Sequence, residues 1–195
     1  MITFRQAAVT ILVTATMLAV TSCSDSTEQI EGTYTAEYDA TSILTDTLKE
    51  QNYEIEAVGT ITAPYRLSLT QNEYTIELDT ASYEQSFTEF LDNNIDQIST
   101  QMLVSMGLAD TEEDRSRFIQ ITEFETFEEF EEDLKQDLIK AMDFDNMDAQ
   151  KQQGKYTYRN KTIKFKAENN FEGTVNEDGT ITVNQPNRQL EFIKD

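Results

Sequence analysis

Four groups of residues in this 195-residue chain have types and spacings suited to chemistry. Cys23 is the lone thiol, a single soft nucleophile placed just after an apolar run. Tyr34, Tyr38, Tyr65, Tyr74, Tyr156 and Tyr158 fall where apolar residues recur at every second position, so their rings share the sheltered side of strands. Hydroxyls in such places either orient a small ligand in a semi-polar cavity or sit in a packed core whose polar tips reach its ends. Lys151, Lys155, Arg159, Lys161, Lys164 and Lys166 concentrate positive charge in a stretch without acids. That stretch is either a docking strip for an anionic partner or the counterpart of residues 108 to 148, which hold 15 acids against four bases. Asp143, Asp145 and Asp148 offer oxygen atoms of the kind calcium takes. The glycine and closing glutamate of an EF-hand loop are missing, so the segment reads as a helix end running into a solvated loop.

Composition removes other chemistries. The chain has no histidine and no tryptophan, and 37 acidic side chains outnumber 15 basic ones for a formal charge of −22. Without histidine there is no His-ligated metal, no His-dependent triad and no Cys-His pair within the chain. One cysteine cannot form an internal disulfide. So negative a chain is a poor nucleic-acid partner, because phosphate binding needs clustered bases that release counterions. No Gly-rich phosphate loop and no Gly-x-Ser-x-Gly elbow occurs, and no cofactor is implied. Carboxylates at helical spacing, such as Glu128 with Glu132 or Asp133 with Asp137, are the residue type that glycoside hydrolysis uses, but 37 acids produce such pairs by chance.

The elements that must position these residues follow from periodicity. Arg5 and the uncharged run Ala7 to Val20 predict a secretory signal over residues 1–22, since 14 residues are too few to span a bilayer. Residues 23–31 form a polar tether, and 32–195 a single domain. Tyr34, Ala36 and Tyr38 alternate with Thr33, Thr35 and Glu37, as in a half-buried antiparallel strand. A short helix capped by Thr41 or Ser42 follows, with Ile43, Leu44, Thr47 and Leu48 on one face. Glu54 to Thr62 reads as a weaker strand, and Tyr65 to Leu69 with Tyr74 to Leu78 as a hairpin turning at Gln71-Asn72. A helical insertion then occupies about 80–150. Its first helix has a Ser82/Gln85 capping box and a stripe from Tyr83 through Phe87, Phe90, Leu91 and Ile98 to Met106. A second begins near Asp110 or Thr111. A third is capped by Thr126 and Glu129, and its Phe127, Phe130 and Leu134 are expected to pack against the first. Tyr156/Tyr158, Ile163/Phe165, Phe171/Val175, Ile181/Val183 and Leu190/Phe192 mark five closing strands. Eight or nine short strands around one insertion predict an α+β domain whose antiparallel strands form an up-and-down barrel or a curled sheet.

Two resemblances add to this reading. Val20-Thr21-Ser22-Cys23 resembles the lipobox of bacterial lipoproteins, which implies a diacylglyceryl group on Cys23, cleavage before it, and acylation of the new amine. The membrane is then a partner through a lipid anchor, and the protein faces outside the cytoplasm on the cell membrane or the outer membrane. Gly32-Thr33-Tyr34 is similar to the Gly-x-Trp opening of lipocalins, with tyrosine in place of tryptophan, which implies a lipocalin-like domain over residues 32 to 79 and 154 to 195. The chain also resembles uncharacterised acidic envelope lipoproteins with a Gly-x-Tyr strand, an acidic helical middle and a closing meander. The resulting expectation is a lipid-anchored, non-enzymatic envelope protein that binds a protein partner or a small ligand. Its alternative is a hydrolase, or hydrolase accessory, acting on envelope glycans.

Overall fold

The computed structural model describes residues 29–195 apart from Gln51, 148–150, Glu168 and 186–187. Cys23, the expected signal, the expected tether up to residue 28, and Asp148 therefore lie outside the described residues. The elements run β1 (Gly32–Asp39), α1 (Thr41–Glu50), β2 (Thr62–Thr70), β3 (Glu73–Leu78), α2 (Thr80–Ser105), α3 (Glu112–Ile121), α4 (Phe127–Ala141) and α5 (Phe144–Met147). β4 (Gln152–Arg159), β5 (Thr162–Lys166), β6 (Phe171–Val175), β7 (Ile181–Gln185) and β8 (Arg188–Lys194) complete the chain.

Each strand pairs antiparallel with the next, and β1 returns to β8 through Tyr34↔Lys194 and Thr35↔Ile193. The sheet is a closed eight-stranded up-and-down barrel of lipocalin-like form, with the helical segment inserted between β3 and β4. Closure leaves no unpaired edge. Two of the hairpins turn in two residues at positive φ, Gln71-Asn72 (47° and 68°) and Asn160-Lys161 (52° and 61°), whose twist matches that of the strands they join. Period-two alternation sends Tyr34, Ala36, Leu67, Leu69, Ile76, Ile163, Phe165, Val183, Leu190 and Phe192 inward, and all are buried. Gly154 is needed where β4 crosses close to β5: a Cβ there would stand 2.5 Å from the Lys166 carbonyl and 3.1 Å from the Tyr74 ring.

The structure corrects several local expectations. Residues 54 to 61 form no strand up to Ile61, although β2 starts at Thr62. Side chains of α2 take up their backbone instead: Asn94 bonds both the N–H and the C=O of Val58 (2.8 and 2.9 Å), and Gln97 does the same for Glu56 (2.9 and 3.1 Å). α2 begins at Thr80, ahead of the expected Ser82 cap, because the Asp79 carboxylate already accepts from the Ser82 amide at 3.2 Å. Asp39, rather than Thr41 or Ser42, receives the first amide of α1, and the Thr41 hydroxyl accepts from Ile61 N–H at 2.9 Å. Thr126 caps α4 as read, with Glu129 N–H on Thr126 Oγ1 at 3.1 Å, but the Glu129 carboxylate accepts from Glu125 N–H at 2.7 Å rather than closing the box on Thr126. Thr111 caps α3 in the same way.

The insertion also packs differently. Phe87, Phe90, Leu91 and Ile98 join the core of the barrel, while Phe127 and Phe130 join Leu103 and Phe118 in a separate, smaller core. Only Leu134 of the expected trio touches the first group, and it touches both. Met106, expected at the end of the buried stripe, is 56% exposed. Asn94 and Ser99, polar residues on α2, are buried instead, Ser99 donating to Glu131 at 2.7 Å. The Asp143 segment becomes a turn into α5, whose Phe144 is buried edge-on against Tyr83 and Phe87.

Candidate ligand site at the open end of the barrel

The two ends of the barrel differ because different residues end its strands. At the end where β1 begins, Ile30 is buried and its carbonyl accepts from the Tyr34 hydroxyl at 2.8 Å. Glu31 accepts from Gln71 N–H at 2.8 Å, and its carbonyl accepts from Lys194 Nζ at 3.0 Å. This strap crosses the end where β1 begins.

The opposite end is formed by the last residues of β1, β3, β5 and β7 and the first of β2, β4, β6 and β8. Here the inward side of three strands ends on polar residues. Counting back by twos, Phe192 and Leu190 lead to Arg188, Tyr156 and Gly154 lead to Gln152, and Ile181 and Val183 lead on to Gln185. They are linked: Arg188 Nε donates to Gln185 Oε1 at 2.6 Å, and Gln185 Nε2 to Gln152 Oε1 at 3.0 Å. Arg188 also donates to the Tyr65 hydroxyl, and its guanidinium carbon lies 4.4 Å over the Tyr65 ring.

A cavity of about 820 Å³ opens at this end. Tyr38, Ile43, Tyr74, Ala167 and Phe171 supply its apolar lining, and Lys151, Gln152, Gln153, Asn169, Gln185 and Arg188 its polar lining. It deepens from the exposed Gln153 and Asn169 to Tyr74, which is only 2% exposed. The Tyr74 ring is set edge-on to Phe165 and Phe171, at 4.8 and 5.9 Å between centroids. Its hydroxyl is buried, out of reach of solvent, and has no hydrogen-bond partner among the described residues, a costly state. A void of about 110 Å³ adjoins, sharing Gln152 and Arg188 and bounded by Tyr65, Ile76 and Leu78. Ile43, expected on the packed face of α1, is instead 49% exposed at the rim.

The six strand tyrosines do not converge on one cavity. Tyr38 and Tyr65 stand near Tyr83 of α2 at the open end, close enough that each raises the cost of ionising Tyr83. Tyr34 and Tyr158 stand together at the strapped end, where Glu31 also acts on Tyr156. Tyr34, Tyr65, Tyr74 and Tyr156 are buried, while Tyr38 and Tyr158 are partly buried against the same core. Among the six, Tyr38 and Tyr74 line the main cavity.

Burial raises the hydroxyls of Tyr34, Tyr65, Tyr74, Tyr83 and Tyr156 above their ordinary value of 10.0; for Tyr65 the charge and hydrogen bond of Arg188 pull the other way without reversing the shift. A group whose folded value is raised binds its proton more tightly folded than unfolded. Its stabilisation is complete below the unfolded value and is lost as pH rises through the folded one. The domain is therefore expected to unfold above about pH 10, with tyrosinate absorbance at 295 nm and loss of far-UV circular dichroism in one transition. Complete tyrosine ionisation centred at pH 10 with the circular dichroism intact would contradict this packing.

The six bases of the 151–166 segment are exposed. Lys151 pairs with Glu77 at 2.9 Å, Lys164 with Glu172 at 3.1 Å and Lys161 with Glu177 at 3.6 Å, all on the barrel or its turns. Among the described residues none of the six pairs with an acid of residues 108 to 148. Lys155 and Lys166 face each other across β4 and β5, a like-charge pairing that sheets disfavour. Arg188 stands in a turn-rich stretch, which hid its place at the start of β8. The available signal was parity with Leu190 and Phe192, together with its being the one base between Lys166 and Lys194.

No protein-family model matches this chain, and neither does any curated protein or solved structure.

Proposed function

We propose that this is a lipid-anchored, non-enzymatic envelope protein that binds a small molecule in the open end of its barrel. The supporting observation is the cavity of about 820 Å³, whose lining sets Ile43, Ala167 and Phe171 beside Arg188 and the amides of Gln152 and Gln185, a size and mixture of surfaces typical of small-molecule sites. Of the two kinds of partner the sequence suggests, this feature favours a small ligand over a protein. This cavity does not favour the alternative of glycan hydrolysis, since the described residues lining it include no carboxylate; Asp133 and Asp137 line a separate cleft of about 530 Å³ on the helical insertion. Anchoring rests on the Val20-Cys23 motif. The described chain begins beside the strapped end, opposite the cavity, which suits an anchor upstream of it.

N-phenyl-1-naphthylamine, a neutral apolar fluorophore, tests the site. The full chain is expected to enhance its emission, and Ala167→Trp, which fills the cavity from its rim, is expected to abolish that enhancement while leaving the melting temperature within a few degrees. Enhancement that survives Ala167→Trp would place the fluorophore elsewhere and overturn the reading.

A further inference from the structure

Resting on that ligand site, we propose that its ligand is a carboxylate-bearing small molecule with an apolar body, and that Arg188 receives the carboxylate. The first ground is electrostatic. A chain with 37 acids and 15 bases lines this cavity, among the described residues, with Lys151 and Arg188 and with no acid. Lys151 is already paired, its Nζ lying 2.9 Å from Glu77. Arg188 has no carboxylate within 4.0 Å among the described residues, although it is only partly exposed.

The second ground is geometric. The Tyr65 ring beneath the guanidinium, the Tyr65 hydroxyl and Gln185 Oε1 fix its plane while engaging Nε and Nη1. Both N–H groups of Nη2 have no partner among the described residues. A guanidinium is the planar fork that carboxylates match, and one held in place loses less entropy on binding than a free side chain. The partners that hold it are neutral, and among the described residues no carboxylate compensates its charge. In the same cavity Ile43, Ala167 and Phe171 offer apolar surface for the rest of the ligand.

Displacement of bound N-phenyl-1-naphthylamine from the full chain by 1-naphthylacetate, compared with its neutral amide 1-naphthylacetamide, tests this. The two competitors share one apolar body. The acid is expected to displace the fluorophore at a concentration at least about tenfold below the amide, as a charge-assisted hydrogen bond implies. Arg188→Gln should remove that advantage, read as the ratio of acid to amide potency within the same variant so that any change in fluorophore affinity cancels, and Arg188→Lys should restore part of it. Equal potency of acid and amide on the unmutated chain, a comparison that needs no variant to fold, would overturn the assignment while leaving the cavity reading intact. An advantage of the acid unchanged in Arg188→Gln would also overturn it. Fluorophore that neither competitor displaces would remove the ligand site itself, and this inference with it.

Discussion

Phe90→Ala is expected to destabilise the domain by about 3–5 kcal/mol, enough to leave it marginal at 37 °C. Phe90 is 2% exposed and sits on α2 among the residues that join the helical insertion to the barrel core. Truncating it loses the transfer energy of a large ring and leaves a cavity that a closed barrel cannot collapse to fill. The damage extends beyond the ring. The Phe90 carbonyl accepts from Asn94 Nδ2 at 2.7 Å, and the same Asn94 holds Val58 by both its N–H and its C=O. A shift of this turn of α2 therefore loosens residues 54 to 61, which have no ladder of their own. Urea unfolding followed by circular dichroism measures the cost. A loss below about 1 kcal/mol would mean that α2 does not bury this face against the barrel.

Cys23→Ser is expected to move the protein from the membrane fraction to the soluble fraction while the domain stays folded. Two or three acyl chains on one cysteine and its amine anchor a protein stably, whereas serine accepts none by this route. Nothing in the described part of the chain substitutes for them, since no helix there is long and apolar enough to cross a membrane. After cleavage before Cys23, 37 acids would face 14 bases, so attraction to an anionic leaflet would not retain the protein either. Because the domain begins beyond the anchor, its melting temperature should be unchanged. Retention of the serine variant in membranes after a high-salt wash would exclude Cys23 lipidation as the means of attachment.

Sequence by itself determined the strands and most of the helices, because the information is local. Side chains at i and i+2 share a face of a strand, so Tyr34 with Ala36 or Leu190 with Phe192 can be assigned inward without knowing what lies opposite. The Thr126 cap of α4 and the turn at Asn160-Lys161 are likewise written within four residues. Glu54 to Thr62 shows the limit. Its composition allows a strand, but a strand needs a partner, and here Asn94 and Gln97, 36 and 41 residues away, bond the backbone first. The destination of an amphipathic face is equally non-local: α2 has the expected stripe, yet Phe90 meets the barrel while Phe130 meets Phe118. Only tertiary structure decided that β1 closes on β8, that the tyrosines divide between two ends, and that Arg188 lies over Tyr65 from 123 residues away. Parity says which face a residue takes; closure of the barrel, which depends on strand count, tilt and register all agreeing around the ring, decides which inward residues meet at its open end.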